Sequence, residues 1–200
     1  AAPIAELGAH LRDVPPARLF DELLKLLQAG HALQSFEKLL QYDLLRYLFE
    51  DTAALLETEQ RDTVLHFVRE GLKNTAERVR ADKPITPMFL YAVFLWHPIM
   101  ALADKLRADG WNDAQAMLEA SPRIVAAQQT AFPRRLSSPM KELMLMQWRF
   151  ENTQGARAQR LLEHKRFRAA YDFFVLRARC GEVDPALAEW WTNVQELPAE

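Results

Sequence analysis

Trp148 to Arg179 reads WRFENTQGARAQRLLEHKRFRAAYDFFVLRAR. Gly155 and a polar turn near His164 divide it into helices over Ala156–Glu163 and Lys165–Arg179. On the second helix Phe167, Ala170, Tyr171, Phe174 and Ala178 share one side at 3–4 spacing. Lys165, Arg168, Asp172 and Arg179 fall on the other, and Arg157, Arg160 and His164 likewise share a side. The aromatics therefore belong to a core stripe, and the cations face outward. A basic, aromatic-laced helical hairpin of this kind points to a nucleic-acid surface.

Charge is segregated around that hairpin. Arg134 to Arg179 holds eleven Lys and Arg against four Asp and Glu, a local charge of +7 on a chain of net −2. Nine of the eleven are arginine, the side chain whose planar fork suits phosphate. After Arg179 there is no Lys or Arg, while five acids follow. Such patterning bears on partners rather than on fold. The competing reading is a solvated face held by local pairs, Arg168 with Asp172 and Arg160 with Glu163.

Outward from the hairpin, the chain reads as helix throughout. Half of its 200 residues are hydrophobic, only six are glycine, and no period-2 run bounded by turn residues occurs. The expected fold class is all-α, an elongated multi-helix array without a sheet. Ile4–Arg12 reads as a short helix, and Pro16 opens the next, which ends at Gly30. Two short helices follow, near Leu33–Gln41 and Leu44–Phe49. Thr58 is the expected N-cap of a long helix over Glu59–Asp82, ended by Pro84 and Pro87. Met88–Trp96, MFLYAVFLW, is nearly all apolar and should be the central core helix. Pro98 should kink or restart it. Asn112 or Asp113 opens a helix to about Thr130, and Phe132–Arg135 reads as a linker. Ser138 then caps a helix with Pro139 at its first position, burying Met140, Leu143, Met144 and Trp148 while Lys141, Leu145 and Arg149 take another face. Asp184 and Pro185 cap the last helix. The expected organisation is a neck-like region at 1–56, a helical body at 57–133 and a basic leg at 134–200.

Catalytic constellations are missing from the sequence. There is no phosphate-binding glycine loop and no HExxH. No Gly-Ser followed by Asp-x-Asp occurs, as two-metal nucleotidyl transfer requires. The five histidines are scattered, without metal-ligand spacing. A single cysteine, Cys180, excludes an internal disulfide and points to a reducing compartment, cytoplasmic in the simplest reading. No uninterrupted apolar run reaches the ~18 residues of a membrane span.

Three stretches carry a resemblance: VPPARLFDELLKLLQAG at 14–30, KNTAERVRADKPITPMFLYAVFLWHP at 73–98 and QGARAQRLLEHKRFRAAYDFFVLRA at 154–178. In this order they resemble the bacterial poly(A) polymerase family, and the first is shared more loosely with CCA-adding enzymes. The resemblance implies a C-terminal neck, body and leg without the catalytic head. The head would bind ATP and magnesium and transfer adenylate to RNA 3′ ends. The chain itself would hold no cofactor, show no activity alone, and have as partners single-stranded RNA and that head. The expected RNA-binding residues are Arg134, Arg135, Lys141, Arg149, Arg157, Arg160, Lys165, Arg166 and Arg168. Arg18 and Glu22 match positions that brace the neck, and their spacing permits a salt bridge. The alternatives are a protein–protein module that docks an acidic partner on the hairpin, or a fragment of a CCA-adding enzyme.

Overall fold

Met88 to Trp96 has no polar face to show to water, and the fold is built around it. In the computed structural model, which describes residues 4, 7–28, 30–83 and 85–195, the chain divides into two compact units, Ala1–Ser137 and Ser138–Glu200. Among the described residues there is no strand.

The described residues of the first unit form a 3-10 turn, Gly8–Asp13, and the helices α1 (Pro16–Gln28), α2 (Ala32–Gln41), α3 (Leu45–Leu48), α4 (Glu50–Leu55), α5 (Arg61–Arg80), α6 (Pro87–Ala108) and α7 (Asp113–Ala127). Every residue from Met88 to Ile99 is buried, so α6 is the core helix. By length and composition α6 is apolar enough to cross a membrane, yet 67% of its most apolar window is covered by the rest of the fold. Each large side chain so buried contributes about 1.5–3 kcal/mol. Phe94 stacks on Phe49 at 4.2 Å and Tyr91 stacks on Phe132 at 4.1 Å. Phe132 is therefore a core anchor, where the sequence suggested only a linker. The expected first helix falls partly on residues 5 and 6, and the expected break at Pro84 also lies outside the described residues.

Pro98 neither breaks nor restarts α6, which runs through it. Proline removes the N–H that would bond to the carbonyl four residues back, that of Phe94. Buried Thr52 of α4 donates its hydroxyl to that carbonyl at 2.8 Å. A side chain 42 positions away (52 to 94) thus replaces the missing donor, and the helix continues.

Helix ends show where local signals succeed. Pro16 is the first residue of α1, and Gly30 (φ +71) follows its end in the left-handed conformation that glycine adopts freely. Asn112 caps α7 in a reciprocal capping box with Gln115. Thr58 instead accepts from the Gln60 N–H and donates to Leu55, so α5 starts at Arg61, later than the sequence suggested.

α8 (Arg134–Leu145) starts at the end of the first unit and runs into the second, where a 3-10 turn (Gln147–Glu151), α9 (Gly155–Leu162), α10 (Phe167–Arg179) and α11 (Pro185–Val194) follow. Ser138 is not its cap. The Pro133 carbonyl accepts from Leu136 and Ser137, and Pro139 lies inside the helix. After Leu145 the backbone tightens into the 3-10 turn. Gln147 and Phe150 are buried there, and Trp148, expected in the core stripe, is only half-buried. The core of the second unit gathers on Phe150, which stacks on Phe174 at 4.6 Å and meets the Trp191 ring edge-on. The Trp191 indole N–H donates to the Phe150 carbonyl at 2.7 Å. Buried Gln147 donates to the Leu143 and Ala170 carbonyls and accepts from Arg177.

Candidate nucleic-acid interface

The second unit sets its cations by the same periodicity that builds its core. On α9, GARAQRLL, Ala158 and Leu161 are buried, so Arg157 and Arg160 project outward and are exposed. Lys165 is exposed in the turn that follows, and Arg149 is exposed on the 3-10 turn. Among the described residues Arg149, Arg157, Arg160, Lys165 and half-buried Lys141 make no ion pair. The Arg160–Glu163 pair does not form, because the Glu163 carboxylate accepts from Gln159 instead.

Three other cations in the segment are neutralised. Arg166 donates to Glu142 at 2.9 Å, and Arg168 pairs with Asp172 at 3.1 Å with its guanidinium 5.6 Å from the Tyr171 ring centroid. Arg177 turns inward, pairs with Glu182 at 3.2 Å, and is held below the usual arginine range by burial, an effect that Glu182 and Glu151 oppose. Arg179 stays exposed at the end of α10, so local pairing, inward turning and surface exposure divide the eleven cations of the sequence. Arg166, half-buried in its pair, is thus the expected contact least available to a ligand, and Arg168 is already engaged although exposed.

Arg134 and Arg135 occupy the first two positions of α8 and are exposed. Cations at a helix N-terminus oppose the macrodipole, at about 0.3–1 kcal/mol each. The fold therefore gives no reason for them. In the first unit Arg18 and Glu22 lie exposed on α1, and Glu22 pairs with Lys25 at 3.0 Å rather than with Arg18. A lysine three positions on reaches the carboxylate from the same exposed face. A cluster not singled out in the sequence lies nearby: the guanidinium groups of Arg12 and Arg46 sit 5.3 and 5.4 Å from the Tyr47 ring centroid.

Glu142 and His164, which no sequence motif marks, organise a pocket within the second unit. The Arg166 backbone N–H donates to His164 Nδ1 at 3.2 Å, and on the other side of the ring Nε2 lies 3.3 Å from Glu142 Oε1. The imidazole is thus held between the α9–α10 turn and α8. The pocket beside it measures about 350 Å³ and is bounded by Leu145 and Met146, with Lys141 and Arg149 also lining it and Ser138 at its edge. Its lining mixes helix α8, the 3-10 turn and the α9–α10 turn, residues 23 positions apart (141 to 164). That separation hides it from pattern reading.

Among the described residues no three His, Cys, Asp or Glu side chains come together to hold a metal ion.

Helical units that display unpaired arginines over an aromatic core define an all-α module suited to a polyanion. Residues 109–200 match the family model described as the polymerase A arginine-rich C-terminus, and residues 1–56 match that of the probable RNA and SrmB-binding site of polymerase A. The chain belongs to the bacterial poly(A) polymerase family. It is 38% identical over 202 residues to poly(A) polymerase I of Escherichia coli O157:H7 and 36% over 201 residues to that of Salmonella typhimurium, in each case covering 98% of this chain and 43% of the relative. The Haemophilus influenzae protein of the same name is 34% identical over 197 residues, covering 96% of this chain and 44% of its own length. The chain thus spans less than half the length of these relatives. All nine expected RNA-binding cations fall in the arginine-rich match, whereas Arg18, Arg12, Arg46 and Tyr47 fall in the other.

Proposed function

We propose that this chain is the RNA-holding part of a cytoplasmic polymerase that adds adenylate from ATP to RNA 3′ ends. The chemistry and the binding of ATP and magnesium belong to a catalytic head outside these 200 residues. The observation that carries the reading is the set of exposed, unpaired cations, Arg149, Arg157, Arg160 and Lys165, presented by helices whose buried faces fix their direction. Phosphate contacts of this kind position RNA without reading its sequence, which suits an enzyme that accepts many 3′ ends. Arg134 and Arg135 add to them, and Lys141 faces the adjacent pocket. Membership of the poly(A) polymerase family supports RNA over an acidic protein partner.

The test is titration of the chain with single-stranded RNA at low and moderate salt, beside an acidic polypeptide of equal charge. Binding to RNA with a steep salt dependence is the expected result. A preference for the polypeptide would favour the protein-docking alternative. Incubation with ATP, magnesium and RNA should add no adenylate, and addition by this chain alone would overturn the division of labour.

A further inference from the structure

We propose that the pocket beside His164 receives one nucleotide of the bound RNA, its base lying against the imidazole and its flanking phosphates on Lys141 and Arg149. This rests on the RNA reading above and adds a defined subsite to it. The volume of about 350 Å³ lies at the low end of small-ligand pockets and suits a ligand of nucleotide size. Its lining is chemically divided in the way a nucleotide is. Leu145 and the buried Met146 offer apolar surface, and the His164 ring lines the pocket beside them. Bases splayed from single strands stack on such rings.

Three features set the pocket apart from an ordinary surface groove. The ring is preorganised, because the Arg166 N–H and Glu142 hold it from both nitrogens. A base would meet it without ordering it first. Lys141 and Arg149 lack ion-pair partners among the described residues although Glu142 lines the same pocket. Glu142 is occupied instead by Arg166 and His164. Finally, Lys141, Leu145 and Arg149 recur at four-residue spacing, which places a cation on each side of an apolar centre. Lys141 lies on α8 and Arg149 on the 3-10 turn that follows it, and both line the one pocket. That arrangement serves the phosphates on the two sides of a single nucleotide.

The experiment measures the affinity of the 200-residue chain for a fluorescent single-stranded RNA and for the same backbone with its bases removed. The wild-type chain should prefer the base-bearing strand by about 5- to 100-fold, the range of one stacked base. His164→Ala should lose most of that preference, and His164→Phe, which keeps a ring, should retain it. Lys141→Ala should weaken both strands alike and flatten the salt dependence. If neither strand binds at low salt, the RNA reading itself fails. If both bind equally well with a steep salt dependence, the RNA reading stands and the nucleotide pocket is refuted. The abasic comparison uses the wild-type chain, so it decides the matter even should a variant fold poorly.

Discussion

Thr52 and Pro98 provide a double-mutant test of how the core helix survives its proline. Thr52→Val keeps the shape of the side chain and removes the hydroxyl that donates to the Phe94 carbonyl at 2.8 Å. Thr52 is 1% exposed, so water cannot replace the lost donor. Leaving a buried polar group unsatisfied costs about 1–3 kcal/mol. A chain of this size shifts its melting temperature by about 2–4 °C per kcal/mol, so the variant should melt roughly 2–12 °C lower. Pro98→Ala restores a backbone N–H at the position that bonds to Phe94. In that background Thr52→Val should cost well under half as much. The assay is thermal and urea unfolding of the four proteins by circular dichroism, read as a coupling free energy. Equal costs in both backgrounds would refute the claim that the hydroxyl stands in for the proline's missing donor.

Three further outcomes follow from the same geometry. Arg157→Ala with Arg160→Ala should leave helicity and melting unchanged, since both side chains are exposed and unpaired; the salt slope of single-stranded RNA binding should fall by about 1.4, as about 0.7 is lost per phosphate contact. Arg134→Glu with Arg135→Glu should stabilise α8 slightly, by up to about 1 kcal/mol per site in unfolding experiments, while weakening RNA binding, because acids suit a helix N-terminus and repel phosphate. Glu37 is held below the usual carboxylate range by its hydrogen bonds from Arg69, at 2.7 and 3.0 Å. Its contribution is present above the unfolded-state pKa and lost as pH falls through the lower folded one. Glu37→Gln should therefore lower stability near neutral pH by less than about 1 kcal/mol, the pair being half-exposed, and the gap should close in acid unfolding curves.

What could be read from the sequence was what periodicity and chain punctuation encode. The stripe of Phe167, Ala170, Tyr171 and Phe174 is buried, and Ala178, at its end, is half-buried. Arg168 pairs with Asp172 because the partners stand one turn apart. Pro16, Gly30, Asn112 and Asp184 mark helix ends through local backbone chemistry. The failures share a different cause. Pro98 signals a kink or restart and Pro139 a helix start by local rules, yet both lie within helices, and at Pro98 the remedy comes from distant Thr52. Arg166 reads as a free cation beside Lys165 and Arg168, yet Glu142, 24 positions earlier, neutralises it. His164 reads as one scattered histidine because the Arg166 N–H and the Glu142 carboxylate flank its ring only after α8 and the α9–α10 turn meet. The exposed cations were visible by spacing, and the pocket that Lys141 and Arg149 line was not.

The most direct test of the account is to crosslink single-stranded RNA to the chain by ultraviolet light and map the joined residues by mass spectrometry. The account places crosslinks within 134–168, around the exposed cations of α8, the 3-10 turn and α9 and at the His164 pocket. They should fade as salt is raised. Crosslinks confined to residues outside that segment, or unchanged by salt, would contradict it.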